Sequence, residues 1–139
     1  MGAGSGSDQG MKKHILSVDD EPIISELLQA VLSSKGYRVS SATNHEEASK
    51  IVQTDPPQLI IMDCQMEEED GFILVEQFKK LTPNTPILLL TGFVYDRQVV
   101  REILEKKVDG YLDKTVTLSR IVSEIQRLLG DPQDELISA

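Results

Sequence analysis

The sequence predicts a doubly wound α/β fold around a five-stranded parallel sheet, on three observations. Leu59-Ile60-Ile61-Met62-Asp63 is an apolar run ending on a carboxylate, and Pro86 to Thr91 is a second run, apolar up to its final hydroxyl. Strands buried on both faces of a parallel sheet read this way. Strand-like and helix-like stretches then alternate five times, as crossover units do. Chemistry-bearing residues close four of the strands: Asp19 and Asp20, Asp63, Thr91, and Lys114. Open α/β sheets place their ligands at that end.

The first strand is expected over Lys13 to Val18, with Ile15, Leu16 and Val18 in the core. Pro22 suits the first turn of a helix, where its missing N–H is not needed. That helix runs to about Lys35 on Ile23, Ile24, Leu27, Leu28, Val31 and Leu32, and Gly36 stops it. Tyr37 to Ala42 reads as the second strand. Asn44 caps a second helix, with Glu47 three residues on for a capping box; Ala48, Ile51 and Val52 face inward, and Asp55-Pro56-Pro57 ends it. After the third strand comes an acidic loop, Gln65 to Asp70, and Gly71 offers a tight turn. Helices follow over Phe72 to Leu81 and Asp96 to Lys106. Tyr111-Leu112 is a short fifth strand running into Asp113-Lys114. The last helix covers Leu118 to Leu129, with Gly130 and Pro132 beyond it. The expected sheet order is 2-1-3-4-5, flavodoxin-like, which brings the ends of strands one and three together at the switch point.

Residues 1–11 are Gly/Ser-rich and read as a flexible tag or linker, residues 12–130 as one domain, and 131–139 as a tail or truncated linker. A chain of 139 residues allows one domain with a real core. A net charge of −9 argues against nucleic-acid binding by this domain, because that affinity rests on Lys and Arg neutralising phosphates. No apolar run is long enough to span a membrane. No secretory leader is evident, consistent with the cytoplasm. The one cysteine, Cys64, excludes an internal disulfide and reads as a buried thiol. His14 lies at the wrong end of its strand and His45 in the first turn of a surface helix, so neither suits catalysis. Phosphate-loop and dinucleotide fingerprints are absent.

Asp19, Asp20 and Asp63 cannot all stay ionised in one crevice unaided. Two carboxylates about 4 Å apart repel by roughly 4 kcal/mol at an effective dielectric near 20. Either a proton is shared or a cation binds, and hard oxygen ligands favour Mg²⁺. A metal-neutralised Asp63 can act as nucleophile on a phosphoryl group, giving an aspartyl phosphate. Lys114 can pair with one phosphoryl oxygen as a point charge, and the Thr91 hydroxyl can donate to another.

On these residues the chain resembles the receiver domain of two-component response regulators, over about Lys12 to Leu129. Asp19-Asp20-Glu21-Pro22, Asp63 with Met66 and Gly71, Thr91 and Lys114 stand in family order and near family spacing. The family is itself an example of the 2-1-3-4-5 order. The resemblance implies a phosphorelay switch in which Asp63 accepts phosphate from the phosphohistidine of a histidine kinase or phosphotransfer protein. It implies Mg²⁺ held directly by Asp20, Asp63 and the main-chain carbonyl of Gln65, with Asp19 acting through water. Thr91 and Tyr111 would be the switch pair. The fourth helix, fifth strand and fifth helix would be the surface for a downstream protein or a homodimer. Such a domain catalyses its own phosphorylation and dephosphorylation but is not a multiple-turnover enzyme.

Three residues depart from the family pattern. Glu67 stands where Pro usually follows the Met, Thr115 where Pro usually follows the Lys, and Gly92 where Ala usually follows the Thr. With Thr115 the preceding peptide bond is expected trans, since a non-proline cis bond costs about 2.5–4 kcal/mol. A pseudo-receiver, an interaction module working without phosphate, is the alternative; the intact Asp, Thr and Lys set argues against it. An aspartyl-phosphate hydrolase would carry a second Asp two residues after the nucleophile, where this chain has Gln65.

Overall fold

A computed structural model describes residues 12–19, 22–63, 71–91, 101, 108–113 and 116–132, with the main chain only at 22–24, 63, 71–73 and 91. The elements in order are β1 (His14–Val18), α1 (Pro22–Ser34), β2 (Arg38–Ala42), α2 (His45–Thr54) and β3 (Leu59–Asp63). There follow α3 (Gly71–Leu81), β4 (Ile87–Thr91), β5 (Gly110–Asp113) and α4 (Leu118–Leu129). The five strands are all parallel, in the order β2-β1-β3-β4-β5. This is the expected flavodoxin-like order. The helix expected over Asp96 to Lys106 lies outside the described residues, apart from Arg101, which is helical.

Alternation along the strands divides the core into two layers. Leu16, Val18, Ile60, Met62, Ile87 and Leu89 meet α2 and α3 through Ala48, Val52, Leu74, Val75 and Phe78. Their neighbours Ile15, Leu59, Ile61, Leu88, Leu90 and Leu112 meet α1 and α4 through Leu28, Leu32, Ile121, Val122 and Ile125. Strands covered on both faces have no polar side to show, which is why β3 and β4 read as unbroken apolar runs.

Several expectations need local correction. Tyr37 is not in the second strand. Gly36 takes φ 93°, and the Gly36 and Tyr37 N–H groups donate to the Ser33 and Leu32 carbonyls, closing α1 with a Schellman motif that uses up Tyr37. Strand β1 begins one residue later than expected and β5 one earlier, while Gly71 is the first residue of α3 rather than a turn before it. Leu27, expected in the core, is 53% exposed, because Leu28 and Leu32 carry the buried stripe of α1. The Asn44 cap holds: its Oδ1 accepts from the Glu47 N–H at 2.9 Å. The return arm misses the cap residue, for Glu47 Oε1 accepts instead from the Thr43 N–H and hydroxyl at 2.9 and 2.8 Å.

His14 is a structural residue, 1% exposed, with Nε2 and Ser40 Oγ 2.7 Å apart. His45 is half-buried against Phe78, ring centroids 6.2 Å apart. Among the described residues no helix is long and apolar enough to cross a membrane.

Candidate functional site at the carboxyl edge of the sheet

The ladder register decides what meets at the carboxyl edge. Val18 pairs with both Ala42 and Met62, so Asp19 and Asp63 each lie one position beyond the same rung on adjacent strands. Asp63 in turn pairs with Leu90, and Thr91, next along β4, pairs with Asp113. Lys114 follows Asp113 directly. Asp19, Asp63 and Thr91 are therefore drawn to one edge by main-chain pairing, with no need for proximity in the chain.

Asp19 is held through its main chain. Its N–H donates to the Ala42 carbonyl at 3.0 Å, carrying the β1–β2 ladder one residue past the strand. The residue is 4% exposed. A buried carboxylate feels neighbouring charge far more than one in water does, because the effective dielectric around it is lower. That donor chemistry, hard oxygen at a poorly solvated strand end, fits a hard divalent cation.

Tyr111 pairs with Leu89 and is half-buried against the core layer of α2 and α3. Of the other expected site residues, Asp63 and Thr91 are located by their main chain alone. Asp20, Gln65 and Lys114 lie outside the described residues, as do Cys64, the acidic loop Gln65 to Asp70, Gly92 and the Lys114–Thr115 bond.

Beneath the edge lies a polar contact that the sequence analysis did not single out. Ser17 on β1 and Ser25 on α1 are 2% and 5% exposed, and their hydroxyls are 3.2 Å apart. The available signal was two polar residues at positions the apolar pattern assigns to the interior.

A family model, the response regulator receiver domain, matches residues 15–126. The chain belongs to that family. Receiver domains are the phosphoacceptor signalling domains of two-component systems. Among relatives, this receiver domain is 34% identical over 120 residues to the alkaline phosphatase synthesis transcriptional regulatory protein PhoP of Bacillus subtilis, covering 86% of this chain and 49% of PhoP. The chain spans about half the length, or less, of the curated relatives it matches first. Its fold is similar to the response regulator TrrA of Thermotoga maritima, solved in complex with Mg(2+)-BeF. The TM-score is 0.72 at 31% identity, over 84% of this chain and 98% of that one. It is also similar to a response regulator from Burkholderia pseudomallei with a phosphorylated aspartic acid, calcium ion and citrate. There the TM-score is 0.73 at 27% identity, over 86% and 69% of the two chains.

Proposed function

We propose that this receiver domain is a phosphoacceptor switch. In this reading Asp63 takes a phosphoryl group from the phosphohistidine of a histidine kinase or phosphotransfer protein, and the partner-binding surface changes in response. The observation that carries the reading is the register of Val18 with Met62, which puts Asp19 and Asp63 at adjoining positions on the carboxyl edge. Family membership supports it, as do the Mg(2+)-BeF of TrrA and the phosphorylated aspartic acid and calcium of the Burkholderia protein.

The carboxylates of Asp19, Asp20 and Asp63 and the main-chain carbonyl of Gln65 would hold Mg²⁺, Asp19 through water. The ion supplies charge that offsets carboxylate and phosphoryl repulsion. A carboxylate oxygen of Asp63 attacks phosphorus, and the new O–P bond forms as the P–N bond breaks. The imidazole leaves with that bond's electron pair, neutral where its other nitrogen carries a proton. Lys114 pairs with a phosphoryl oxygen, and the Thr91 hydroxyl donates to another. Loss of the phosphoryl group to water resets Asp63.

A new charge shifts a conformational equilibrium only by binding one state better than another. Thr91 makes that differential contact, and Tyr111, beside Leu89 on the neighbouring strand, is the ring that follows it. The surface altered is the 96–106 region, β5 and α4, where a downstream protein or a second copy docks.

Beryllofluoride with Mg²⁺ tests the reading without a kinase. Amide shifts at Asp19, Asp63, Thr91 and Tyr111 are expected. No binding would replace the switch with an interaction module that works without phosphate.

A further inference from the structure

The Ser17–Ser25 pair has a place in the architecture that packing alone does not explain. Ser17 interrupts the apolar β1 and Ser25 the apolar early turns of α1, both deeply buried. A hydroxyl in such surroundings needs a partner at hydrogen-bond distance, since water is not there to supply one. Their 3.2 Å separation meets that need only for one placement of α1 on β1. Sliding or turning the helix by a residue carries the Ser25 hydroxyl out of reach. The two elements it ties are those on either side of Asp19-Asp20-Glu21, with Ser17 two residues before Asp19 and Ser25 three after Pro22. The bond from the Asp19 N–H to Ala42 pins the start of that link from the opposite strand.

We infer that Ser25, through Ser17, is a positioning residue for divalent-cation binding at the carboxyl edge. It touches neither the ion nor the phosphoryl group. It holds α1 in register on β1, and the register sets where the Asp19 carboxylate stands. This rests on the Mg²⁺ reading above.

The test is an Mg²⁺ titration followed by amide chemical shifts, alongside thermal unfolding. It compares the unsubstituted chain with Ser25→Ala, Ser17→Ala and the double variant. Each single variant is expected to raise the Mg²⁺ Kd about tenfold, as loss of a ligand-orienting contact does, and to lower the unfolding midpoint by leaving one hydroxyl unpaired. In the double variant no hydroxyl is orphaned, so the midpoint recovers while the Kd stays raised. The amide spectrum reports folding in the same experiment, and Ser17→Ala removes the same bond should Ser25→Ala fail to fold. A folded single variant with unchanged Kd would overturn the positioning role alone. So would affinity and midpoint recovering together in the double variant. Absence of Mg²⁺ binding by the unsubstituted chain would overturn the functional reading, and this inference with it.

Discussion

Asp131 accepts a hydrogen bond from the Tyr37 hydroxyl at 2.7 Å, across 94 residues of sequence. Its other carboxylate oxygen takes the Lys13 ammonium at 2.6 Å, and the same ammonium donates to the Leu129 carbonyl at 2.8 Å. Gly130, at φ 75°, closes α4 with a Schellman motif that directs Asp131 back to the sheet. The end of the last helix is thereby fastened to the starts of β1 and β2, at the edge opposite Asp19 and Asp63. A cleft of about 660 Å³ lies there, lined by Lys12, Lys35 and Tyr37 among others.

Asp131→Asn is expected to destabilise the fold by about 1–3 kcal/mol at neutral pH, the usual range for a charged hydrogen-bonded group. Burial alone would raise the Asp131 carboxyl; the hydrogen bonds from Lys13 and Tyr37, with the Lys13 charge, outweigh it and hold the group below its ordinary value. A folded-state pKa below the unfolded one means stability that is full above the ordinary carboxylate range near 4. It is lost as pH falls through the folded value. Thermal midpoints of the two proteins should therefore differ most at neutral pH and converge in acid. A gap independent of pH would assign the effect to packing.

His14 gives a second pH signature at higher pH. Burial, then the Arg38 charge, hold its imidazole below the ordinary value, against Asp55, whose Oδ1 is 3.7 Å from Nδ1. Arg38 is itself engaged by Asp55 at 2.5 and 3.0 Å. With the folded pKa depressed, the unfolded chain binds the proton more readily, so stability falls as pH drops below the unfolded value. His14→Gln should remove that slope between about pH 7.5 and 5.5. An identical slope in the variant would place the titration on another group.

Gly110→Ala should destabilise by about 1–3 kcal/mol, the range for overpacking a filled core. A Cβ there would stand 3.0 Å from Glu124 Oε2 and Leu88 Cδ1, and 3.2 Å from Leu128 Cδ1. Glu124 cannot easily swing aside, being held to Arg127 by bonds of 2.9 and 2.6 Å. Denaturant unfolding measures the loss; a midpoint equal to that of the unsubstituted protein would show that α4 lifts freely from β5.

Much of this fold was legible because its signals are local. Apolar runs gave β3 and β4, Asn44 gave the start of α2, and Gly36 and Gly130 gave the ends of α1 and α4. What escaped depends on which of several competing partners a group takes. Glu47 chose Thr43 over the cap residue, and Tyr37 turned from the strand to Asp131. The exposure of Leu27 follows from how α1 sits on the sheet, which periodicity within one helix does not report. At the site, Asp19 beside Asp63 followed from strand order alone. The Ser17–Ser25 bond needed the register of a helix on a strand, and that is a tertiary fact.

The switch is tested by hydrogen exchange of the free and beryllofluoride-bound protein. Protection should change from Thr91 through Lys114, with Tyr111 inside the affected segment. Unchanged exchange there, with binding confirmed, would leave the acceptor chemistry standing and remove the Thr91–Tyr111 coupling.

Acceptor identity is the central claim, and intact mass after incubation with acetyl phosphate and Mg²⁺ tests it most directly. The account predicts one added phosphoryl group on the unsubstituted chain and none on Asp63→Asn, whose amide lacks the nucleophilic oxygen pair. Undiminished labelling of Asp63→Asn would contradict it.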